Sequence, residues 1–230
     1  MPNKKQPLIL LHGALGTKNE FDDLIPELEK DFELHWLNFE GHGENTPTDR
    51  PFRIDHFAES VVEYLDENEI SKVNIFGYSM GGYVALVLAK NHPKRIKRVA
   101  TLGTVLQWIG EVAERECRYL NPVKIEEKVP HFAKKLDERH SSGWKEVVNK
   151  TKEMLQYLGF NPNLTDNDWR EIKAPIRIHI GDRDTTAGLA PTIEVYKKIE
   201  QAELSVLPAT PHPLEKVNKE ALAASLKEFL

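Results

Sequence analysis

Gly77-Tyr78-Ser79-Met80-Gly81-Gly82 follows directly on the apolar run Val73-Asn74-Ile75-Phe76 and runs on into Tyr83-Val84-Ala85-Leu86-Val87-Leu88-Ala89. A β-prone run, a glycine-bracketed serine and an unbroken apolar stretch spell a strand that turns sharply into a buried helix. Ser79 stands at the apex. Glycines two positions before and two after it carry no Cβ, so strand and helix can approach closely while the hydroxyl is lifted clear of the backbone. A G-x-S-x-G match is common by chance, and its strand–turn–helix setting is what gives it content. In that setting Ser79 is a candidate nucleophile. Met80, whose amide opens the helix, is a candidate donor to a developing negative charge.

Other short β-prone runs flank this one: Leu8–Leu11, Glu33–Leu37, Arg98–Leu102, Ile176–Ile180 and Glu203–Leu207. Helical spacing lies between them. Phe21, Leu24, Ile25 and Leu28 mark one helix, and Phe57, Val61, Tyr64 and Leu65 another. Ile193, Tyr196, Lys197 and Ile199 mark a third, and Leu222, Leu226 and Phe229 the last. Strands alternating with helices predict a three-layer α/β protein, a parallel sheet with helices on both faces. The runs without polar interruption fit strands buried on both sides. Sites in such sheets lie beyond the carboxyl ends of the strands.

One region breaks the rhythm. From Thr104 to Asp168 helical spacing persists without a strand: Val129, Phe132, Ala133 and Leu136 form one stripe, Trp144, Val147, Val148, Leu155 and Leu158 another. This is longer than a crossover needs and reads as a lid. The expected division is a core of 1–103 and 170–230 with an all-helical insertion, 104–169, after the fourth strand.

Composition narrows the function classes. With 230 residues, 40% hydrophobic and 29% charged, the chain suits one domain with a sizeable core. A net charge of -5 gives no general attraction for nucleic acid or an acidic membrane surface. The basic run Lys94-Arg95-Ile96-Lys97-Arg98 reads as a solvated turn. The single cysteine, Cys117, permits no internal disulfide and reads as a small apolar residue of a helix. The apolar run after the polar start is too short for a signal-peptide core or a membrane span, so a cytoplasmic protein is expected.

A serine nucleophile needs a base, an orienting acid and donors for the oxyanion. Elbow enzymes present these in the order Ser, acid, His. Of nine histidines, only His212 follows the candidate acids. It lies in Ala209-Thr210-Pro211-His212-Pro213, just past the last β-prone run, where a base reaching Ser79 must stand. The preceding run ends in Gly181-Asp182-Arg183-Asp184, and periodicity does not choose between the two aspartates. After the first run, Leu11-His12-Gly13-Ala14-Leu15-Gly16 offers a loop free to take an unusual path, with His12 bracing it. Neither this loop nor Gly41-His42-Gly43 completes G-x-G-x-x-G, so no dinucleotide cofactor is expected, and no metal.

On these residues the chain resembles the α/β-hydrolase superfamily of small esterases, lipases, carbon–carbon bond hydrolases and cofactor-free haloperoxidases. The likeness is carried by His12-Gly13, Gly41-His42-Gly43, the elbow around Ser79, Gly181-Asp182-Arg183-Asp184, and His212 followed by Glu215. It implies Ser79 as nucleophile, Asp184 as acid, His212 as base, oxyanion amides at Ala14 and Met80, and the insertion as a cap. It also implies six parallel strands in the order 2-1-3-4-5-6, the first corresponding to the family's third. The chain departs from the family in Asn38 where aspartate is frequent, Asn45 where serine is, and Pro211 before the histidine.

Ester hydrolysis of a small molecule with an apolar acyl or aryl part is the leading expectation. Leu15, Tyr78, Trp108 and Phe132 are the candidate substrate contacts; Leu106, Ile109, Trp144 and Met154 are further apolar residues of the insertion. Carbon–carbon hydrolysis or a lyase step is the alternative, because Gly-Tyr-Ser-Met-Gly-Gly is similar to the elbow of a menaquinone-pathway lyase. A non-catalytic receptor on the same fold is the third.

Overall fold

Alternation of side chains along the strands builds the layers. In β1 (Gln6–Leu11), Leu8 and Leu10 turn to one face of the sheet and Ile9 and Leu11 to the other, and all four are fully buried. Burial of each such side chain is worth about 1.5–3 kcal/mol, which commits this strand to the middle of the molecule. The computed structural model describes residues 5–46 and 49–230. Its sheet contains β1, β2 (Phe32–Leu37), β3 (Val73–Tyr78), β4 (Ile96–Leu102), β5 (Ile176–Gly181) and β6 (Ala202–Leu207). All pairs are parallel and the order is β2-β1-β3-β4-β5-β6, as the resemblance implies.

Helices cover both faces. On one side α1 (Ile25–Leu28) and the terminal α10 (Lys219–Phe229) pack on Leu8, Leu10, Phe76 and Leu102. On the other, α2 (Ile54–Glu67) and α3 (Met80–Asn91) pack on Ile9, Leu11, Ile75 and Val99, and α9 (Leu189–Tyr196) adds Val195 beside Ile178. Helix α3 is apolar all round from Tyr83 to Ala89 because it is buried between the sheet and other helices.

Between β4 and β5 lie α4 (Gly110–Cys117), α5 (Pro122–Lys128), α6 (Pro130–Arg139), α7 (Trp144–Phe160) and α8 (Asp166–Glu171). Leu106, Trp144 and Met154 are buried among these elements and pack the insertion. Ile109 is exposed. Cys117 is buried in α4, where burial pushes its thiol up. No helix among the described residues is long and apolar enough to cross a membrane.

Three local expectations are corrected. The helix expected over Phe21–Leu28 is broken into a 3-10 turn, Lys18–Phe21, and α1. Pro26 has no N–H to donate and its ring crowds the carbonyl four residues back, so one unbroken helix cannot form. Helix α9 ends at Tyr196, short of Ile199, which is buried from the following turn. In α6, Ala133 and Leu136 face inward, while Val129, at the start of the helix, and Phe132 of the same stripe are exposed.

Candidate active site

The elbow forms where β3 meets α3. Ser79 adopts φ 51° and ψ -116°, a left-handed conformation that costs a serine about 1–3 kcal/mol. Its surroundings hold it there: the Ser79 N–H donates to the Leu102 carbonyl at 2.8 Å, and the Thr104 hydroxyl donates to the Ser79 carbonyl at 3.1 Å. The bracketing glycines are required by close approach. A Cβ on Gly77 would lie 2.5 Å from the Gly82 nitrogen, and one on Gly81 2.5 Å from the Leu11 carbonyl carbon.

His212 comes from the loop after β6. Two prolines flank it, yet its Nε2 lies 3.3 Å from Ser79 Oγ. The loop is tied down around it. The Thr210 N–H donates to Asp182 Oδ1 at 3.0 Å, and the Arg183 N–H to the Thr210 carbonyl at 3.1 Å. The Tyr78 hydroxyl donates to the His212 carbonyl at 3.1 Å.

Asp184 is the aspartate that meets the imidazole. Its Oδ2 is 2.8 Å from His212 Nδ1, and its Oδ1 accepts the Thr186 and Ala187 N–H groups, each at 2.9 Å. Burial raises this carboxyl, but the His212 contact and the two amides outweigh burial and leave it below the ordinary carboxylate range. An ionised carboxylate only accepts, so Nδ1 carries the proton and Nε2 keeps its lone pair for the Ser79 hydroxyl. Asp182 instead caps the turn that carries His212.

Ala14 and Met80 line one cavity with Ser79, about 70 Å³ in volume. Neither N–H donates a hydrogen bond among the described residues. Met80 also begins α3, whose partial positive end faces that space. Ile54, Leu155 and Leu158 supply apolar wall, and Glu116 is the one charged lining residue among those described. A cleft of about 400 Å³ adjoins it, sharing Val105 and Trp108, and Trp108 Nε1 is buried without a hydrogen-bond partner among the described residues.

Of the four expected substrate contacts, Trp108 lines the cavity and three do not. The Phe132 ring lies on the outer side of α6. Leu15 is buried in the loop after β1 and presents its carbonyl to the insertion. Tyr78 is buried beneath the His212 loop, where burial raises its phenol well above the ordinary value. Ile54, Tyr83, Glu116, Leu155, Leu158 and Thr186 line the cavity without having been singled out. Leu155 and Leu158 carried a signal in the second stripe of the insertion; Glu116 carried none.

The loop after β1 is braced as expected and more widely. The His12 Nδ1–H donates to the Gly13 carbonyl at 2.8 Å while Nε2 accepts the Phe39 N–H at 3.1 Å, and burial lowers this imidazole to about 4. The Gly13 N–H donates to Glu20 Oε2 at 3.0 Å, and burial raises the Glu20 carboxyl to about 7. Asn38 accepts the Lys18 N–H at 2.7 Å, an anchoring use of the amide where the family's aspartate is frequent.

A family model described as the alpha/beta hydrolase fold matches residues 6–187. A pimeloyl-[acyl-carrier protein] methyl ester esterase of Neisseria meningitidis is 34% identical over 97 residues, a match that spans 42% of this chain and only 36% of that protein. A putative 2-succinyl-6-hydroxy-2,4-cyclohexadiene-1-carboxylate synthase of Bacillus subtilis is 24% identical across 100% of this chain and 92% of its own length. Among solved structures, an enol-lactonase from Burkholderia xenovorans LB400 superposes with a TM-score of 0.78 at 20% identity, covering 99% of this chain and 92% of that one, a likeness of fold.

Proposed function

The chain belongs to the alpha/beta-hydrolase family, and on that premise we propose that it is a serine hydrolase cleaving carboxylic esters of small or medium acyl groups. The observation that carries this reading is the unbroken contact from Ser79 Oγ to His212 Nε2 at 3.3 Å and from His212 Nδ1 to Asp184 at 2.8 Å. Ser79 Oγ attacks the ester carbonyl as His212 takes its proton. The oxyanion is held by the Ala14 and Met80 amides. The tetrahedral intermediate expels the alcohol, which receives the proton from His212. Water, deprotonated by His212, then attacks the acyl-serine, and the second tetrahedral intermediate releases the acid as His212 returns the proton to Ser79 Oγ. Each oxyanion donor is worth on the order of 10²–10³ in rate. The helices from Gly110 to Glu171 serve as the cap, since Leu155 and Leu158 of α7 wall the cavity beside Ser79.

The cavity suits a short apolar group, and the adjoining cleft gives a longer substrate room past Trp108. The second reading is a carbon–carbon hydrolase or lyase step, favoured by the full-length match to the putative synthase. That protein's name describes a carboxylate product, whereas the cavity beside Ser79 offers a carboxylate no cationic lining residue among those described: Glu116 is paired with Arg115 at 2.8 Å, and Arg115 and Lys198 line only the adjoining cleft. A neutral acyl group therefore suits the cavity itself.

Treatment with a fluorophosphonate probe, mass spectrometry of the labelled peptide and a panel of p-nitrophenyl esters test the reading. Labelling at Ser79 and ester turnover, both abolished in Ser79→Ala, are expected. Labelling without turnover on any ester favours the second reading, and a folded protein that resists the probe removes the serine mechanism.

A further inference from the structure

The segment that carries the Ala14 amide is held on both sides by groups that no step of the proposed reaction uses. Before Ala14, Glu20 takes the Gly13 N–H and His12 the Gly13 carbonyl. After it, Leu15 sits at φ 59°, a conformation that a branched side chain does not hold unaided. The Leu15 carbonyl is held from outside the core. It is 3.1 Å from Nε2 of His140, which caps the C-terminus of α6 in the helical insertion.

The other nitrogen of His140 defines the chemistry of this contact. Nδ1 is 3.0 Å from the Gly43 nitrogen, and a backbone N–H can only donate, so Nδ1 accepts. The proton therefore sits on Nε2 and is donated to Leu15. One neutral, fully buried imidazole thus joins the loop after β1, the turn after β2 and the insertion. Desolvation holds it in the neutral form, with His42 packed against the ring and Arg139 beside it on α6. The next two residues tighten the junction: the Ser141 N–H and hydroxyl both donate to the Gly43 carbonyl, at 3.1 and 3.2 Å, and the Ser142 hydroxyl donates to Gly41 at 3.3 Å.

We propose that His140 is a positioning residue for the reaction: from the helical insertion it latches the Leu15 carbonyl, and so completes the oxyanion hole only when the insertion is seated on the core. The latch rests on the reading of Ala14 as an oxyanion donor. Its consequence is specific. An unlatched loop leaves substrate binding almost intact, because the ground-state carbonyl needs the amide less than the oxyanion does, and the loss falls on kcat.

Steady-state hydrolysis of p-nitrophenyl acetate and amide hydrogen exchange of wild type, His140→Ala and His140→Gln decide it. The carboxamide O–C–N of glutamine offers one acceptor and one donor about as far apart as the two ring nitrogens. His140→Ala is expected to lower kcat at least about tenfold, toward the 10²-fold loss of an oxyanion donor, with KM within about threefold. Peptides spanning residues 13–16 should exchange faster while β3 stays protected as a control for folding. His140→Gln should recover most of both. A loss confined to KM, unchanged exchange at residues 13–16, or a glutamine variant no better than alanine would overturn the latch. A wild-type protein that hydrolyses no ester overturns the ester reading instead, and the exchange comparison then decides the latch alone.

Discussion

Asp182 and Asp184 are two positions apart, carry the same group and lie on the same turn, yet they do different work. Asp184 is buried and faces His212 Nδ1; Asp182 is at the surface and accepts the Thr210 N–H. In Asp184→Asn the new amide would donate toward Nδ1 and force the imidazole proton onto Nε2, leaving no lone pair for Ser79. We expect kcat to fall by about 10⁴. Asp182→Asn keeps an acceptor oxygen for Thr210, and kcat should stay within about threefold, because surface changes that preserve their contacts cost little. Steady-state kinetics on one p-nitrophenyl ester checks both, and the reverse ranking would exchange their roles. Spacing did not separate the two aspartates, because it does not encode which member of a turn points into the protein.

Elements were legible wherever local pattern and burial agree. All six strands were readable in place, with boundaries that moved by up to two residues, because continuous apolar runs and period-two alternation are the direct image of a sheet covered on both faces. The misread elements have separate causes. A single proline broke the first helix, and in α6 the stripe lost Val129 and Phe132 to solvent because its neighbours cover only part of it. Periodicity predicts that an apolar side exists; it does not predict how wide a neighbour will cover it. Caps act at this level too. Asn218 accepts the Ala221 N–H at 2.9 Å and opens α10, far from Ser79 in function. Asn218→Ala should lower unfolding free energy by about 1 kcal/mol in urea titration and leave kcat unchanged. A change in kcat would mean that α10 is coupled to the site.

The whole molecule carries a buried set of neutral histidines. His12, His42, His140 and His179 are all buried, and desolvation lowers each below its ordinary value, to about 4 for His12 and His179. At these positions the unfolded chain takes up protons near pH 6.5 and the folded one only at lower pH. Stability is therefore full above pH 6.5 and is lost as the pH falls toward 4. Glu20 acts in the opposite sense: raised to about 7, it makes the folded state lose stability as the pH climbs from 4.5 to 7. Four groups against one should win, so the urea midpoint should be lower at pH 4.5 than at pH 6.5, and Glu20→Gln should steepen that rise. A midpoint that falls over this range would contradict the burial of the imidazoles as neutral bases.

Short-range order in the chain was enough for the strands, the sharp turn at Ser79 and the succession of serine, aspartate and histidine, since each depends on neighbours a few positions away. Packing turned Asp184 to His212, as the resemblance implied and spacing did not, left Leu15, Tyr78 and Phe132 out of the cavity wall, put Glu116 in it and brought His140 to a carbonyl 125 residues distant. Those contacts arise from how six strands stack out of sequence order and where the helices between β4 and β5 come down. No local spacing records a distance between elements that meet only after the sheet has formed.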